Sequence, residues 1–152
     1  SEGGPAGSYY QSERAEIYDA HFKKLEELGR TYPCFCSRSE VRAASAPHRD
    51  DGTPVYNGGC RYLTGSQRTE KAKKRAPSMR LWVPEKTISF VDGHMGPYSE
   101  YLPEDCGDFV LRRADGVYAY QLAVVVDDAL MGVNEVVRGA DLLQSTPRQL
   151  LL

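Results

Sequence analysis

The sequence predicts an α/β protein built around one core, and three observations lead to this prediction. Apolar residues near the N-terminus recur with the 3.6-residue period of an amphipathic helix. Short alternating segments in the middle of the chain, bounded by Gly, Pro and Asp-Gly pairs, are typical of strands. Two consecutive apolar runs near the C-terminus predict a helix–strand unit. At 152 residues, the chain is long enough for one domain with its own core.

The first predicted helix begins at Ser12, whose hydroxyl can cap it, and continues to Leu28, with Gly29 as its C-terminal stop. Its apolar residues fall on one face, which predicts that this face is buried. We interpret the helix as a packing element, and His21, which lies on the apolar face, as a core residue.

The middle of the chain is predicted to form strands joined by turns. Asp92-Gly93 and Asp115-Gly116 are turn signals that each follow a short apolar run. The predicted strands are 79–83, 88–91 and 109–113, with a return segment at 117–120.

Two polar segments precede these strands. Residues 42–54 are small and polar with two prolines, which predicts a loop or a frayed short helix. A basic run follows, for which a solvated surface is the ordinary interpretation and contact with phosphate the alternative. Its members are Arg68, Lys71, Lys73, Lys74 and Arg75.

The C-terminal part is predicted to contain a helix, a strand and the start of another helix. Residues 121–130 are read as a buried helix ended by Gly132, although the β-branched run also allows a strand. Residues 133–138 are predicted as a strand. Thr146, followed by Pro147 and by Gln149, has the pattern of a capping box that begins a helix.

Four residues in the first half of the chain have the spacing of a metal site: Cys34, Cys36, Tyr56 and Cys60. Zn²⁺ prefers about four ligands in a tetrahedron, usually thiolates and imidazoles. Tyr56 stands where the fourth ligand would fall, with a bound water as the alternative. The other interpretation is four unrelated residues, since buried free cysteine behaves as a small hydrophobe. We call residues 31–63 the cysteine loop.

Composition narrows the class of protein. The net charge of −2 argues against a protein held on nucleic acid by bulk positive charge, although it allows a local basic patch. No apolar run approaches the roughly 20 residues of a membrane span, so no membrane partner is expected. Three clustered cysteines and a lone Cys106 differ from the dense, even cysteines of secreted scaffolds, which favours a reducing cytoplasm.

Arg138 is the second candidate for a functional residue. It ends a predicted strand, where a planar guanidinium is suited to bind a carboxylate or a phosphate. Tyr120, at a strand-to-helix junction, could add a hydroxyl donor. The alternative is an internal pair between Arg138 and Glu135 or Asp141.

Three further polar residues receive no functional role. Asp127 and Asp128 follow each other on the predicted helix, and we interpret them as an exposed acid pair. Cys106 is interpreted as structural or incidental.

Three C-terminal segments resemble the catalytic domain of the glutamyl branch of class I aminoacyl-tRNA synthetases. They are residues 115–128, the run Met-Gly-Val-Asn-Glu-Val-Val-Arg-Gly-Ala-Asp-Leu at 131–142, and Ser-Thr-Pro-Arg-Gln at 145–149. The resemblance extends over essentially the whole chain.

The resemblance implies a fold and a division of the chain. It implies part of a class I synthetase Rossmann-like catalytic domain with an inserted zinc-binding α+β subdomain. Residues 1–30 would be the lead and first helix of the catalytic domain, residues 31–113 the inserted zinc-binding, acceptor-type subdomain, and residues 114–152 the second part of the catalytic domain.

Within this branch the chain looks most like the shortened glutamyl-Q tRNA(Asp) synthetase family. Full-length synthetases that carry zinc in this insertion bind it with three Cys and one His, and that His lies two residues after the last of these Cys. At the corresponding position this chain has Tyr62. The Cys-x-Cys, Tyr-x3-Cys pattern of the shortened family matches Cys34, Cys36, Tyr56 and Cys60 one for one. The resemblance therefore implies one structural Zn²⁺ held by these four residues. It also implies that the loop presents basic residues such as Arg38, Arg42 and Arg61 to tRNA.

The same resemblance implies an activity. The family activates glutamate with ATP, with Mg²⁺ accompanying the nucleotide, and attaches it to the queuosine base of tRNA(Asp) instead of to the 3′ end. Its glutamate-binding Tyr and Arg fall on Tyr120 and Arg138. The expected partners are glutamate, ATP and queuosine-bearing tRNA(Asp), and a cytoplasmic monomer is expected.

Two family motifs are expected outside this chain. The HIGH-type motif belongs before Ser1 and the KMSKS-type loop after Leu152. We therefore expect this chain to be a piece of a longer protein. We expect the piece to contain no catalytic residue and to have no activity in isolation. One alternative is a glutamyl-tRNA synthetase catalytic-domain fragment. A second is a non-enzymatic zinc-ribbon module that binds RNA, which explains the cysteines but not residues 115–149.

Overall fold

Five helices and nine short strands alternate along residues 3–44, 46–47 and 54–152, which this computed structural model describes. The helices are α1 (Ala15–Glu27), α2 (Arg38–Ala44), α3 (Gly65–Lys74), α4 (Tyr120–Met131) and α5 (Thr146–Leu151). The strands are β1 (Gly3–Gly4), β2 (Gly7–Ser8), β3 (Thr31–Cys34), β4 (Ala46–Pro47), β5 (Pro54–Val55), β6 (Ser78–Leu81), β7 (Thr87–Asp92), β8 (Gly96–Tyr101) and β9 (Val110–Arg112). The predicted mixed α/β content is confirmed. None of the described helices has the length and apolar character needed to cross a lipid bilayer.

All strand pairs in the described part of the chain are antiparallel. The largest sheet has the order β3–β6–β9 and ties the start of the cysteine loop to two later strands. β7 and β8 form a separate hairpin, and two further pairs, β1–β2 and β4–β5, contain two residues per strand. The parallel pairing expected of a Rossmann-like sheet does not occur among these residues.

One apolar cluster joins α1, the three-stranded sheet and α4. Its buried members include Tyr18 and Phe22 from α1, Leu81 and Leu111 from the sheet, and Leu122 from α4. All three predicted segments of the chain contribute to this cluster, so they pack on one another. Their division into a catalytic domain and an inserted subdomain stays a prediction.

The first helix is confirmed, with two corrections. It begins at Ala15, because Ser12 lies in a 3-10 turn at Gln11–Glu13 and makes no capping hydrogen bond to the helix. Gly29 follows the helix at φ +66°, a conformation that favours glycine. Leu28 is exposed, and His21 is only half-buried and bonds through its Nδ1 to the Ile17 carbonyl, so neither is a core residue.

The predicted strands 79–83, 88–91 and 109–113 correspond to β6, β7 and β9. The turn after β7 is confirmed: Asp92 Oδ1 accepts hydrogen bonds from the backbone N–H of His94 (2.9 Å) and Met95 (2.7 Å). The return segment 117–120 forms only one bridge, between Arg112 and Tyr118, because α4 begins at Tyr120.

The predicted helix 121–130 is confirmed as α4, and Gly132 ends it at φ 69° and ψ 30°. The predicted strand 133–138 is wrong: these residues have no regular structure, and none of the described strands pairs with them to form a ladder. Of residues 42–54, predicted as a loop or a frayed short helix, 42–44 end α2, 46–47 form β4 and Pro54 begins β5, and the rest lie outside the described residues.

The predicted capping box at Thr146 is also wrong. Thr146 is already the first residue of α5, and its hydroxyl accepts a hydrogen bond from Arg138. A capping box occurs instead at the start of α3, where Thr64 and Gln67 exchange side-chain and backbone hydrogen bonds of 2.9 and 3.3 Å. The basic run lies on α3 and at its C-terminal end, where all its members are exposed or half-buried.

A buried ion pair connects α1 to α4. Arg14 is 1% exposed and donates from Nε to Asp127 Oδ1 at 2.7 Å, while the Tyr18 hydroxyl donates to Asp127 Oδ2 at 2.7 Å. Arg14 also donates to the carbonyls of Ala6 and Ser8, which fixes the N-terminal hairpin. Asp127 is therefore buried and paired, and the prediction that it belongs to an exposed acid pair is wrong.

Loss of the Asp127 charge should destabilise the protein. In Asp127→Asn the buried Arg14 guanidinium loses its counter-charge, and we expect the free energy of unfolding to fall by about 3 kcal/mol or more. Urea denaturation measures this change. Asp128→Asn, the same substitution one residue along α4, is the control and should change stability by less than about 0.5 kcal/mol. Equal effects of the two variants would contradict the assignment.

Candidate functional site

Three cysteines converge at the end of β3. Cys34 ends that strand, Cys36 follows it, and Cys60 lies on the 3-10 turn at Gly59–Tyr62. The three Sγ atoms lie within 4.8 Å of one another, and those of Cys36 and Cys60 are 3.5 Å apart. All four cysteines of the chain are free of disulfides.

The hydroxyl of Tyr56 lies on the same cluster. It is 3.5 Å from Cys34 Sγ and 3.6 Å from Cys36 Sγ, and it accepts a hydrogen bond of 3.0 Å from the Cys60 N–H. A tetrahedron with Zn–S bonds of about 2.3 Å has edges of about 3.8 Å, and shorter ones where oxygen replaces sulfur. The observed separations are close to these edges. Three of the six edges of a tetrahedral ligand set are therefore matched, and the three thiols lie together within 4.8 Å.

Protonation at this cluster depends on burial. Removal from water raises the pKa of Tyr56 far above its usual range, and hydrogen bonds to the cysteines raise it further. Burial also raises the pKa of Cys36, to about 11. For Cys34, burial is outweighed by the hydrogen bond with Tyr56 and by the charge of Arg80, and its pKa is lowered. A phenolate at this position therefore requires a nearby cation.

Arg80, on β6, supplies positive charge directly behind the cluster. It is 9% exposed, and its guanidinium carbon lies 4.2 Å from the centre of the Tyr56 ring. Its Nη1 donates to the Asp108 carbonyl at 2.8 Å. A fixed cation here favours ionised thiols.

Asp108 anchors the cysteine loop to the sheet, and the sequence analysis missed it. Its carboxylate accepts hydrogen bonds from the Tyr32 hydroxyl (2.5 Å), the Val83 N–H (2.9 Å) and two nitrogens of Arg61. Arg61, predicted to face tRNA, is thus engaged inside the protein. A lone Asp before a short strand carries no local signal for this role.

Gly107 lets the chain pass against the cysteine loop. Its φ of +65° and ψ of 176° are essentially restricted to glycine. A Cβ at this position would lie 2.7 Å from Val55 Cγ1 and 2.8 Å from the Tyr56 carbonyl oxygen. The close approach places Asp108 next to Arg61.

Arg138 lies in a cleft of about 580 Å3 between the β7–β8 hairpin and residues 134–140. We call it the Arg138 cleft. Arg138 Nη1 donates to Gln149 Oε1 at 2.7 Å, and Nη2 donates to the Thr146 hydroxyl. Both acceptors are neutral. Among the described residues no ion pair joins Arg138 to Glu135 or Asp141, the two internal partners considered above.

Tyr120 is not brought into the Arg138 cleft. It is the first residue of α4, is 48% exposed, and does not line that cleft. Its neighbour Gln121 is connected to Arg138 through Gln149. Gln149 accepts a hydrogen bond from Arg138, and its Nε2 donates to Gln121 Oε1 at 3.2 Å. The two residues predicted to bind glutamate therefore lie on adjoining elements but not in one cavity.

The family model for tRNA synthetases class I (E and Q), catalytic domain, matches residues 3–152. The chain belongs to this family. Its catalytic-domain fold is the mixed α/β arrangement described above. Relatives annotated by curators include the glutamyl-Q tRNA(Asp) synthetases of Symbiobacterium thermophilum and Nitratidesulfovibrio vulgaris, each 53% identical over 99% of the chain. The chain covers 47% of each of these relatives, about half their length.

Solved structures of the family resemble the chain over almost its whole length. A glutamate tRNA ligase from Elizabethkingia meningosepticum in complex with its amino acid has a TM-score of 0.78 at 28% identity. The alignment covers 98% of this chain and 32% of that one. The glutamate-tRNA synthetase of Elizabethkingia anophelis gives a TM-score of 0.77, also at 28% identity.

Substitution of Gly107 should test the anchoring of the cysteine loop. We expect Gly107→Ala to lower the free energy of unfolding by about 3 kcal/mol or more, since backbone strain adds to two close contacts. Gly132→Ala, at a positive φ of 69° with no atom within 4 Å of the added Cβ, should cost only about 1–2 kcal/mol. Thermal melting of both variants checks the difference, and a Gly107→Ala melt no lower than that of Gly132→Ala would refute it.

Proposed function

We propose that this chain is part of a glutamyl-Q tRNA(Asp) synthetase that activates glutamate with ATP and transfers it to the queuosine base of tRNA(Asp). The observation that carries the proposal is the identity of about half of all positions with proteins of that name, over nearly the whole chain. The solved glutamate tRNA ligases are identical to this chain at only 28% of positions. This difference in identity favours the shortened enzyme over the full-length one.

The cysteine loop supports the same choice. Tyr56, and not Tyr62, has its hydroxyl at the thiol cluster, and the Tyr62 side chain is exposed and packs edge-on against Trp82. This arrangement matches the Cys-x-Cys, Tyr-x3-Cys pattern of the shortened family. In this proposal Cys34, Cys36, Tyr56 and Cys60 hold one Zn²⁺, whose role is structural: it fixes a loop whose own apolar cluster is small.

Zinc content tests this ligand set. We expect about one zinc per chain in protein purified without chelator, measured by elemental analysis. Cys60→Ser should lose most of the metal, whereas Tyr56→Phe should retain more of it, because water can take the fourth position.

Cys106→Ser is the matched control for the metal. Cys106 is buried like Cys60, but its Sγ lies outside the thiol cluster and donates to the Gly107 carbonyl. The zinc content of the Cys106→Ser variant should equal that of the unchanged protein. A folded, metal-free wild-type protein with three titratable thiols in the loop would refute zinc binding.

Arg138 is the residue proposed to bind an acidic group of glutamate. Its guanidinium is oriented by two neutral acceptors, Gln149 and Thr146, so its charge stays available for a substrate carboxylate. Asp92 and Glu135 line the same cleft, but among the described residues neither forms an ion pair with Arg138. A charge-assisted pair with substrate contributes about 1.5–3 kcal/mol, which favours glutamate over the uncharged glutamine side chain. Tyr120 is proposed to add a hydroxyl to the same pocket, which requires it to turn from its exposed position.

The rest of catalysis depends on positioning the two substrates against each other. A glutamate carboxylate oxygen attacks the α-phosphorus of ATP and pyrophosphate leaves, so no protein nucleophile is needed. Mg²⁺ bound with ATP would neutralise phosphate charge. Transfer to queuosine then releases AMP.

Substitution of Arg138 tests its role in the complete enzyme. Arg138→Ala should raise the glutamate requirement about 10²-fold and leave zinc content unchanged. Arg138→Lys should restore only part of the loss, because an ammonium cannot make two parallel hydrogen bonds. Tyr120→Phe should cost about tenfold. Steady-state glutamate titrations and a melting curve on each variant provide the measurements.

An internal role for Arg138 makes the opposite prediction. Arg138→Ala would then lower thermal stability and leave the glutamate dependence nearly unchanged. Glu135→Gln and Asp141→Asn serve as controls: each should leave stability within about 0.5 kcal/mol of the unchanged protein if no internal pair exists.

Site-specific labelling decides the overall function. The complete enzyme, radiolabelled glutamate and ATP are incubated with tRNA(Asp) that lacks its 3′-terminal adenosine. Label should enter the queuosine-containing RNA and not the same RNA with guanine in place of queuosine. Labelling of only an intact tRNA(Glu) 3′ end would instead establish the full-length type of synthetase. The non-enzymatic zinc-ribbon alternative predicts no labelling at all, and membership in a catalytic-domain family counts against it.

A further inference from the structure

A chain of side-chain hydrogen bonds connects Arg138 to the start of α4. Arg138 Nη1 donates to Gln149 Oε1 at 2.7 Å, and Gln149 Nε2 donates to Gln121 Oε1 at 3.2 Å. Gln121 Nε2 in turn donates to the Ser145 hydroxyl at 3.2 Å. All four residues are half-buried, and we call them the glutamine relay. Neither glutamine lines the Arg138 cleft, so both act on a ligand there through Arg138.

The guanidinium fixes the direction of every bond in the glutamine relay. It carries only donors, so the amide of Gln149 must turn its oxygen toward Arg138 and its nitrogen away. That nitrogen requires an acceptor, which is the Gln121 oxygen, and the Gln121 nitrogen then faces the Ser145 hydroxyl. An amide can transmit this direction because it both accepts and donates, whereas an ionised carboxylate only accepts.

The glutamine relay also preserves the charge of Arg138. The two acceptors of its guanidinium, the Gln149 amide and the Thr146 hydroxyl, are both neutral. A carboxylate in place of the Gln149 amide would lie at ion-pair distance, because this bond is 2.7 Å long, and would offset the positive charge before a substrate bound. Glutamine at position 149 therefore holds the guanidinium in one orientation without neutralising it.

We infer that Gln149 and Gln121 are positioning residues that make the Arg138 cleft select glutamate over glutamine. This inference rests on the proposed role of Arg138 in glutamate binding. Gln149 holds one side of the guanidinium, and Gln121 holds the amide of Gln149. A guanidinium has five N–H donors, so the donors that these neutral groups leave unused stay available for a substrate carboxylate. Gln121 directly follows Tyr120, so the relay also ties the start of α4 to Arg138.

A negative charge placed in the relay should remove the selectivity. Glutamate and glutamine are titrated by competition calorimetry into the complete enzyme and its Gln149→Glu variant. The dissociation constant for glutamate should rise about 10- to 10²-fold, because the new carboxylate competes with the substrate for Arg138. Glutamine carries no side-chain charge, so its dissociation constant should change less than about threefold.

Two leucine variants separate orientation from charge. Gln149→Leu and Gln121→Leu each remove one acceptor of the relay and add no charge. Each should raise the dissociation constant for glutamate about three- to tenfold and keep the preference for glutamate over glutamine. Gln121→Glu retains an acceptor oxygen for Gln149 Nε2 and should recover most of the affinity lost in Gln121→Leu.

Gln144→Glu is the matched control for added charge. Gln144 lies five residues before Gln149, outside the relay, and does not line the Arg138 cleft. The Gln144→Glu variant should keep the selectivity of the unchanged protein. Melting curves on all variants test a purely structural role, which predicts lower melting temperatures with an unchanged ratio of the two affinities.

Three results would overturn the inference. They are equal selectivity in Gln149→Glu and Gln144→Glu, unchanged glutamate affinity in both leucine variants, and a purely structural pattern in the melting curves. Failure of the proposed role of Arg138 is recognised separately, since Arg138→Ala would then leave glutamate affinity unchanged. Failure of the relay alone leaves the loss in Arg138→Ala intact. Transfer to queuosine does not enter these binding measurements, so its failure is seen only in the labelling experiment.

Discussion

The carboxylate of Asp108 accepts hydrogen bonds from three parts of the chain that are distant in sequence. Tyr32 lies on β3, Arg61 directly follows Cys60, and Val83 follows β6. The carboxylate is fully buried, so removing Arg61 would leave its charge uncompensated away from water, and removing either neutral donor would cost a buried hydrogen bond. The thiol cluster and the sheet therefore cannot shift independently. Gly107 makes this possible, since only glycine allows the chain to approach Tyr56 so closely.

Arg80 connects this anchor to the thiol cluster. One face of its guanidinium covers the Tyr56 ring, and one nitrogen donates to the Asp108 backbone carbonyl. Three thiolates and a phenolate on Zn²⁺ would carry a net charge of −2, which a fixed guanidinium partly offsets.

Local signals predicted the local features. The period of α1, the apolar run of α4 and the glycines that end both helices are short-range properties, and the spacing of the four candidate ligands is also readable along the chain. Partnerships between distant residues were not readable. Asp127 looked like a solvated helical acid because its partner, Arg14, lies 113 residues earlier. The β-branched run 133–138 has strand propensity, but propensity requires a neighbouring strand. At Thr146, the hydroxyl that could have capped a helix was instead taken by Arg138.

The separation of Arg14 and Asp127 along the sequence has a consequence for biosynthesis. The ribosome adds about 5–20 residues per second, so a separation of 113 residues would delay the appearance of Asp127 after Arg14 by roughly 6–23 s. During that interval the α1 segment has neither its ionic partner nor the apolar surface of α4. The Asp19–Tyr118 hydrogen bond, across 99 residues, is delayed in the same way. Until α4 emerges, the apolar face of α1 stays accessible to chaperones and proteases, and it is the emergence of α4 that lets the first helix complete its packing.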